Sequence, residues 1–338
     1  MTVVFSAIKI VVVLGAILAA VTYLIYVERR ISAFIQNRIG PNRVGPYGLL
    51  QPIADVLKLI VKEDVTPKLA NKALHDLAPV ISISIALVTF AVVPFGDRIS
   101  LFGQEVKLQI ADVNVGILYV LAFASLGVYG ITLSGWSSNN KYSLLGGLRS
   151  SAQMISYELS MGLSVIGVVL IAGSLQLDKI VEAQYGWKWN ILLQPVGCVI
   201  FTIAAFAETN RLPFDLPEAE PELVGGYHTE YSGLKFGLFF LAEYANLITA
   251  SAIITVLYLG GWQFPYLQDF GLPELLVSII GVVTFIVKVL CVLLFFVVIR
   301  WTLPRFRYDQ LMNLGWKVML PLSILNVLAT GAGILLFR

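Results

Sequence analysis

The sequence predicts an all-α polytopic membrane protein, and both its composition and its patterning support this class. Apolar residues make up 58% of the 338 residues and charged residues 13%, against roughly 25% charged in an ordinary soluble domain. The mean hydropathy is +0.83, and long apolar runs recur throughout the chain. We therefore expect a single integral membrane domain over residues 1–338, because the spans leave no room for a separate large domain.

Eight apolar runs are candidates for membrane-spanning helices, because a span needs about 20 predominantly apolar residues. They lie near 5–27, 79–96, 113–134, 155–173, 190–207, 237–260, 276–299 and 316–337. The first run ends in charged residues and has no convincing cleavage site. We interpret it as a retained span and not as a secretory signal.

Basic residues are distributed unevenly between the predicted loops. Loops near 28–78, 135–153, 208–236 and 300–317 hold 16 Lys and Arg residues, whereas those near 97–112, 174–189 and 261–275 hold 4. Because positively charged loops stay in the cytoplasm, the first set is expected to be cytoplasmic. With eight spans, both termini then lie outside.

Residues 49–62 form an apolar segment that is too short to span a bilayer, which requires about 20 residues. Its polar residues share one narrow stripe of a helix. They are Gln51, Asp55, Lys58 and Lys62. An interfacial anchor with the stripe facing water is the commoner arrangement for such a helix. The alternative is that the stripe lines a cavity open at the membrane face, with Asp55 inside it.

The loop near 208–236 is strongly acidic. Its acids are Glu208, Asp215, Glu218, Glu220, Glu222 and Glu230, opposed by Arg211 and Lys235. A solvated surface loop is one interpretation. Apolar residues interspersed with the acids favour a segment packed into protein, where crowded carboxylates have raised and coupled pKa values.

Ionisable residues also lie within three predicted spans: Glu158, Glu243 and Lys288. Such residues usually face the bundle interior and mark ion pathways. Glu158 has two serines close by, and Glu243 shares a helix face with Asn246, which suits a hydrated, proton-carrying interior. The alternative is a structural hydrogen bond or a snorkelling end residue, and it carries more weight for Lys288 than for the glutamates.

Resident redox groups and nucleic acid are not indicated. The two cysteines, Cys198 and Cys291, lack metal-ligand spacing, and the two histidines, His75 and His228, lie far apart in sequence. No metal site or redox cofactor is expected in this chain. The net charge of +2 is too small to indicate nucleic-acid binding.

Five segments, taken together and in order, closely resemble one family. They are 28–55 with its two Gly-Pro turns, 207–216, 230–231, 239–244 and 304–311. The family is the quinone-site membrane subunit of respiratory complex I, the H subunit of the bacterial NADH-quinone oxidoreductase. The resemblance runs across the whole chain.

The resemblance implies that quinone is the substrate and that this chain forms part of a quinone tunnel. It implies no catalytic residue in this chain. Matching positions in or near the quinone chamber are Glu28, Arg29, Gln36, Arg38, Asp55, Arg211, Phe239 and Phe240. Matching carboxylates of a proton pathway are Glu158, Glu208, Glu218, Glu220, Glu230 and Glu243.

The implied partners are the hydrophilic quinone-site and iron–sulfur subunits, which carry the iron–sulfur clusters and FMN of the complex. Small membrane subunits, antiporter-like subunits and membrane lipids complete the surroundings. The motifs and the absence of a transit-peptide composition favour a bacterial plasma membrane over the mitochondrial inner membrane.

Two other functions remain open from the sequence. One is the equivalent subunit of a membrane-bound hydrogenase or formate hydrogenlyase. The other is a stand-alone proton or cation transporter, in which the buried acids bind ions. Transporters often contain inverted repeats, and no counterpart of 40–55 occurs in the second half of this chain.

Overall fold

The computed structural model describes residues 2–101, 104–216 and 220–337, and this part of the chain is mainly helical. The helices are α1 (Thr2–Ile35), α2 (Gln51–Val61), α3 (Lys72–Thr89), α4 (Gly116–Ser137), α5 (Lys141–Ala172), α6 (Leu177–Glu182), α7 (Asn190–Leu193), α8 (Pro195–Glu208), α9 (Glu220–Leu223), α10 (Gly233–Tyr258), α11 (Glu274–Thr302), α12 (Tyr308–Asn313) and α13 (Leu320–Phe337). A π-helical segment, Leu314–Met319, joins α12 to α13. Strands β1 (Arg98–Leu101) and β2 (Gln104–Lys107) form an antiparallel hairpin.

Seven helical segments in the described part of the chain are long and apolar enough to cross a bilayer. They are Ser6–Ile35, Lys72–Val92, Gly116–Ser137, Lys141–Ala172, Gly233–Tyr258, Glu274–Thr302 and Tyr308–Leu336. The predicted all-α membrane class is confirmed. The number of such segments is seven, whereas the apolar runs predict eight spans.

The run near 190–207 accounts for the difference, because it folds as two shorter helices. The break falls at Gln194, which has φ −132° and ψ 54° and precedes Pro195. Proline disfavours helical geometry in the residue before it. The 14 residues of α8 therefore extend about 21 Å, less than the roughly 30 Å of a bilayer core.

The predicted loop near 135–153 is wrong for most of its length. Helix α4 ends at Ser137, and α5 starts at Lys141. Serine, glycine and glutamine lower the hydropathy here, but they are buried between helices because small side chains allow close packing. A Cβ on Gly135 would lie 2.5 Å from the Ser143 carbonyl oxygen, so α4 and α5 approach closely here.

Other predicted loops are also shorter or more structured than expected. Helix α1 continues to Ile35, α3 starts at Lys72, and α11 continues to Thr302. The loop near 97–112 contains the β-hairpin, and the loop near 174–189 contains α6. The apolar runs stop at charged or small residues, but the helices continue past them, because a helix accommodates both types of residue.

Helix α10 forms the centre of the bundle. It packs against α1, α2, α3, α8 and α11, and 72% of its most apolar stretch is buried. Only 22% is buried in α1 and α11, and 11% in the last span. The outer helices thus present apolar residues to lipid, while α10 carries the residues that meet inside the protein.

Lys288 has a structural role on the far side of this bundle. Its ammonium donates hydrogen bonds to the carbonyl oxygens of Leu259 (2.7 Å), Gly261 (3.1 Å) and Gln263 (2.7 Å). It also lies 4.4 Å from the ring centroid of Trp189. These carbonyls belong to the turn that follows α10, so Lys288 caps the negative end of that helix.

Replacing Lys288 by methionine is expected to destabilise the protein by about 3 kcal/mol, since carbonyl oxygens inside the bundle lose a charged donor. The thermal midpoint of the purified protein should fall by several degrees. Lys288→Arg should retain most of the stability. Lys188→Met is the matched control, because Lys188 is exposed on the same side. An unchanged midpoint for Lys288→Met would contradict this role.

Candidate functional site

A cavity of about 520 Å³ opens where α1 and α11 end and α10 begins, a side of the bundle that we call the charged face. Helix α2 forms its outer wall. The lining residues are Ile25, Glu28, Arg29, Asp55, Lys58, Leu59, Lys62, Tyr231, Ser232, Gly233, Phe236, Gly237, Phe240, Tyr244, Arg300 and Trp301. The volume lies within the range of small-molecule binding sites.

Helix α2 and α10 approach closely at the mouth of the cavity. Gly233 has φ +53°, and a Cβ there would lie 3.0 Å from the Lys62 carbonyl oxygen. Glycine meets both requirements, since it adopts positive φ without strain and has no side chain. The first turn of α10 therefore closes the cavity against the end of α2.

The polar stripe of α2 faces this cavity. Asp55 accepts hydrogen bonds from Arg29 Nη1 at 2.6 Å and from Gln51 Nε2 at 2.9 Å. Lys58 and Lys62 also line the cavity. The opposite face of α2 exposes apolar side chains, namely Ile53, Val56, Leu57 and Ile60. Most of the stripe thus lines the cavity, with Asp55 half-buried and Lys58 and Lys62 exposed at its mouth, and lipid is the natural environment of the apolar face.

Four residues form a buried charge cluster at the inner end of the cavity: Glu28, Arg211, Glu243 and Arg300. Glu28 Oε2 accepts hydrogen bonds from Arg211 Nη1 at 2.9 Å and from the Tyr244 hydroxyl at 2.8 Å. Arg300 pairs with the other oxygen of Glu28, and Arg211 Nε pairs with Glu243. The cluster balances two acids against two arginines, as burial requires.

Arg211 is enclosed almost completely, with a side chain that is 3% exposed. Its guanidinium carbon lies 3.8 Å from the ring centroid of Tyr244, close enough for a cation–π interaction. Burial alone would lower the pKa of Arg211, but the carboxylates of Glu243 and Glu28 outweigh it and hold that pKa well above the ordinary value. Arg211 therefore stays charged and fixes both acids.

The first part of the acidic loop is packed into the protein and not spread on its surface. Phe214, Asp215 and Leu216 are all buried. Asp215 Oδ2 accepts a hydrogen bond from Arg305 Nη2 at 3.0 Å, and Phe306 N donates to the Pro213 carbonyl at 3.2 Å. These bonds tie the loop to the segment that follows α11.

Burial raises the pKa of Asp215 to about 6, with the charge of Glu243 adding to the rise and Arg305 and Arg300 opposing it. Asp215 is thus a carboxyl group that changes protonation close to neutral pH. It is linked electrostatically to the buried charge cluster.

The structure gathers some of the predicted quinone residues and separates others. Glu28, Arg29, Asp55 and Phe240 line the cavity, and Arg211 contacts Glu28 behind it. Phe239 points away into a second apolar cluster with Tyr227 and Tyr231, at ring distances of 5.6 and 5.0 Å. Gln36 and Arg38 pair with each other at 2.7 Å beyond the end of α1, exposed and outside the cavity.

The predicted proton-pathway acids lie at several separate positions. Glu158 pairs with Ser125 of α4, and Glu230 Oε1 accepts a hydrogen bond from Asn140 at 2.5 Å. Glu208 lines a second cavity of about 50 Å³ together with Asn246, large enough for a few water molecules. Glu218 lies outside the described residues, and Glu220 begins α9.

Several lining residues were not predicted. Arg300, Trp301, Tyr244, Tyr231 and Phe236 all reach the cavity. One available signal was the pair of opposite charges, Glu28 and Arg300, at the ends of two spans on the same predicted side. Such charges tend to pair when the two helix ends meet.

The arrangement suits an uncharged molecule with a polar head and an apolar tail. Charged and hydroxyl groups occupy the inner end, and aromatic and aliphatic side chains form the walls. In the described part of the chain, no group of three or more His, Cys, Asp or Glu side chains is placed to hold a metal ion.

The fold and the site together define the class of protein. It is a polytopic membrane protein with a cavity at one membrane face, and the inner end of that cavity is lined by charged and hydroxyl groups. A family model described as NADH dehydrogenase matches residues 8–331. The chain belongs to this family, and the resemblance to the H subunit is confirmed.

Individual relatives are similar over nearly the full length. The chain is 52% identical to the first of the NADH-quinone oxidoreductase H subunits of Cytophaga hutchinsonii, covering 93% of this chain and 92% of that protein. It is 54% identical to the first H subunit of Geobacter metallireducens, covering 96% and 94%. It is 52% identical to NADH-quinone oxidoreductase subunit 8 of Rhodothermus marinus, covering 96% of both.

The shifted pKa of Asp215 predicts a titration near pH 6. In an infrared titration, the protonated-carboxyl band of the wild type should contain a component with its midpoint at about pH 6 that Asp215→Asn lacks. Because the folded-state pKa lies above the ordinary 3.8, the contribution of this group to stability is full below about pH 4 and declines as the pH rises to about 6. A midpoint near pH 4 would contradict the prediction.

Proposed function

We propose that this chain is the H-type membrane subunit of a proton-pumping NADH-quinone oxidoreductase and that it binds quinone in the cavity of the charged face. The observation that carries the proposal is the cavity itself, which combines Asp55, Arg29 and the buried charge cluster with an apolar wall. The relatives named above support the assignment to this enzyme complex.

The cavity lining accounts for both parts of a quinone. Phe236, Phe240 and Trp301 provide an apolar surface for the isoprenoid tail. The quinone carbonyl oxygens require hydrogen-bond donors, which Arg29 and Arg300 supply. Electrons reach the quinone from iron–sulfur clusters, and these, like FMN, belong to the hydrophilic partner subunits.

Coupling to proton movement depends on how Arg211 divides its ion pairs between Glu28 and Glu243. Reduction of quinone to quinol adds two electrons and two protons, so the ligand itself stays neutral. The charge near Glu28 changes when those protons are drawn from ionisable side chains at the cavity, which stay deprotonated until protons are resupplied. A weaker Glu28–Arg211 pair lets the guanidinium shift relative to Glu243. A buried carboxylate that loses its cation gains affinity for a proton, so each change in pairing moves protons.

The remaining acids extend this pathway along the bundle. Asp215 responds to the charge of Glu243, and Glu208 adjoins the small cavity that also contacts Asn246. Glu158, Glu218, Glu220 and Glu230 are assigned to the same pathway from the resemblance to the H subunit, in which it leads to the antiporter-like subunits. Hydrated cavities between acids suit stepwise proton transfer.

The proposed topology has eight crossings with both termini outside. At one end of the chain, Lys9 Nζ donates to the Lys107 and Gln109 carbonyls at 2.9 and 3.2 Å, within the β-hairpin loop. At the other end, Thr330 accepts a hydrogen bond from Gln194 at 2.6 Å. These contacts support an even number of crossings, and α8 supplies the eighth.

Helix α8 can cross because the segment after it remains inside the protein. Thr209, Asn210 and Arg211 are all buried, and so are Phe214 to Leu216. Non-helical backbone is tolerated at membrane depth where protein surrounds it. The bacterial relatives and the basic charged face support a bacterial inner membrane with this face in the cytoplasm.

The charged face also supports docking of hydrophilic subunits. Phe34, Ile39 and Tyr47 lie at or beyond the end of α1 and are 83, 80 and 79% exposed. Apolar side chains exposed in a polar loop mark a protein interface. We assign this surface to the hydrophilic quinone-site subunit and the lipid-facing helices to small membrane and antiporter-like subunits. Subunits that purify with the tagged chain distinguish this complex from a membrane-bound hydrogenase.

Asp55→Asn should reduce quinone reductase activity about tenfold, since Arg29 loses its charged partner in the cavity. NADH oxidation with a hydrophilic acceptor should persist, because it does not use the membrane subunit. Glu63→Gln is the matched control, as Glu63 is exposed next to α2 and does not line the cavity. Equal loss of both activities would instead indicate failed assembly.

Glu243→Gln should abolish most proton uptake per quinone reduced in inside-out vesicles. Glutamine keeps the size of the side chain and its hydrogen bond from Arg211 but lacks the acidic proton. Glu274→Gln, at the opposite end of the bundle, is the control. Wild-type pumping per turnover in assembled Glu243→Gln enzyme would exclude Glu243 from the proton pathway.

A further inference from the structure

Helix α2 has little apolar packing of its own against the bundle. Among the residues of α2, Pro52 is the one that is buried. The apolar side chains of α2 point outward and are exposed. Most helices in proteins owe their stability to an apolar face packed against the rest of the protein. Because α2 lacks this packing, polar contacts near its two ends must fix its position.

The segment that follows α2 is tied to the start of α10 by one lysine. Lys235 Nζ pairs with Asp64 Oδ2 at 2.7 Å and with Asp76 Oδ1 at 2.6 Å. It also donates a hydrogen bond to Thr66 Oγ1 at 3.4 Å. Asp64 and Thr66 follow α2, whereas Asp76 belongs to α3. One ammonium group therefore joins α10, α3 and the end of α2, and we call Lys235, Asp64 and Asp76 the lysine clamp.

The lysine of the clamp is more enclosed than its partners. The side chain of Lys235 is 17% exposed, against 41% for Asp64 and 45% for Asp76. An enclosed ammonium group depends on its carboxylates, because burying an unpaired charge is costly. A neighbouring contact strengthens the attachment, since Ser232 Oγ accepts a hydrogen bond from Val65 N at 2.9 Å.

The clamp lies at the opposite end of α2 from its other ion pair. That pair joins Arg29 to Asp55, and the side chain of Arg29 is 50% exposed. A half-exposed pair contributes little by itself to holding a helix in place. Asp55 therefore keeps its position at the cavity wall only while the far end of α2 is also fixed.

We propose that Lys235 is a positioning residue that holds α2 against the start of α10 and thereby keeps Asp55 at the cavity wall. Lys235 is not among the described residues that line the cavity, so it acts through α2 and not on the ligand. The consequence for quinone rests on the proposed function, whereas the consequence for α2 does not.

Hydrogen–deuterium exchange in the intact complex tests the clamp directly. In Lys235→Gln, peptides from α2 should exchange severalfold faster, because both ion pairs are lost. Lys235→Arg keeps the charge and should retain slow exchange. Lys68→Gln is the matched control, since Lys68 is exposed in the same segment between α2 and α3. Unchanged exchange of α2 in Lys235→Gln overturns the proposal, and so does an equal acceleration throughout α3 and α10.

Kinetics test whether the clamp acts on the site. Lys235→Gln should raise the apparent KM for quinone severalfold with little change in kcat, and Lys235→Arg should behave like the wild type. NADH oxidation with a hydrophilic acceptor should be unchanged. In the Asp55→Asn background, Lys235→Gln should add little to the KM, because residues that act through one contact are not additive. Full additivity of the two substitutions overturns the proposal.

The two measurements separate this inference from the proposed function. Faster exchange in α2 with an unchanged KM overturns the positioning role if Asp55→Asn does impair quinone reduction. If Asp55→Asn is also without effect, the proposed quinone site is overturned, and the clamp on α2 is supported by the exchange alone.

Discussion

Arg211 imposes the constraint on which the charged face depends. A guanidinium that is 3% exposed cannot lose its charge, so the protein must bring carboxylates to it. Glu28 comes from α1 and Glu243 from α10, and Arg300 then joins from α11. Three helices that are distant in sequence are thereby fixed at one point, and the cavity exists because their ends converge there.

The same constraint makes the cluster sensitive to its surroundings. Its charges are balanced, so any charge that changes in the adjacent cavity disturbs the balance. The charge of Glu243 contributes to the raised pKa of Asp215, which changes protonation close to neutral pH. Lys58 and Lys62 are exposed at the mouth of the cavity and take no part in the cluster.

The sequence predicted features that depend on neighbouring residues in the chain. It predicted less well the features that depend on packing between helices. Apolar length revealed most spans, and helical spacing revealed the stripe around Asp55. The first half of α5 was predicted as a loop because its hydropathy is low. Its serines and glycines are in fact small residues packed within a helix. The resemblance grouped Gln36 and Arg38 with Asp55, but the turns after α1 direct them elsewhere. Arg300 reached the site through an interhelical contact that no single segment encodes.

The short α8 has an electrical consequence for the proposed topology. In that topology, the 14 residues of α8 extend about 21 Å, and the buried segment after Glu208 covers the rest of the roughly 30 Å hydrocarbon core. Glu208 then lies within the transmembrane voltage, which is worth about 2.3 kcal/mol per charge at 100 mV for a complete crossing. The affinity of Glu208 for a proton would therefore depend on the voltage across the membrane.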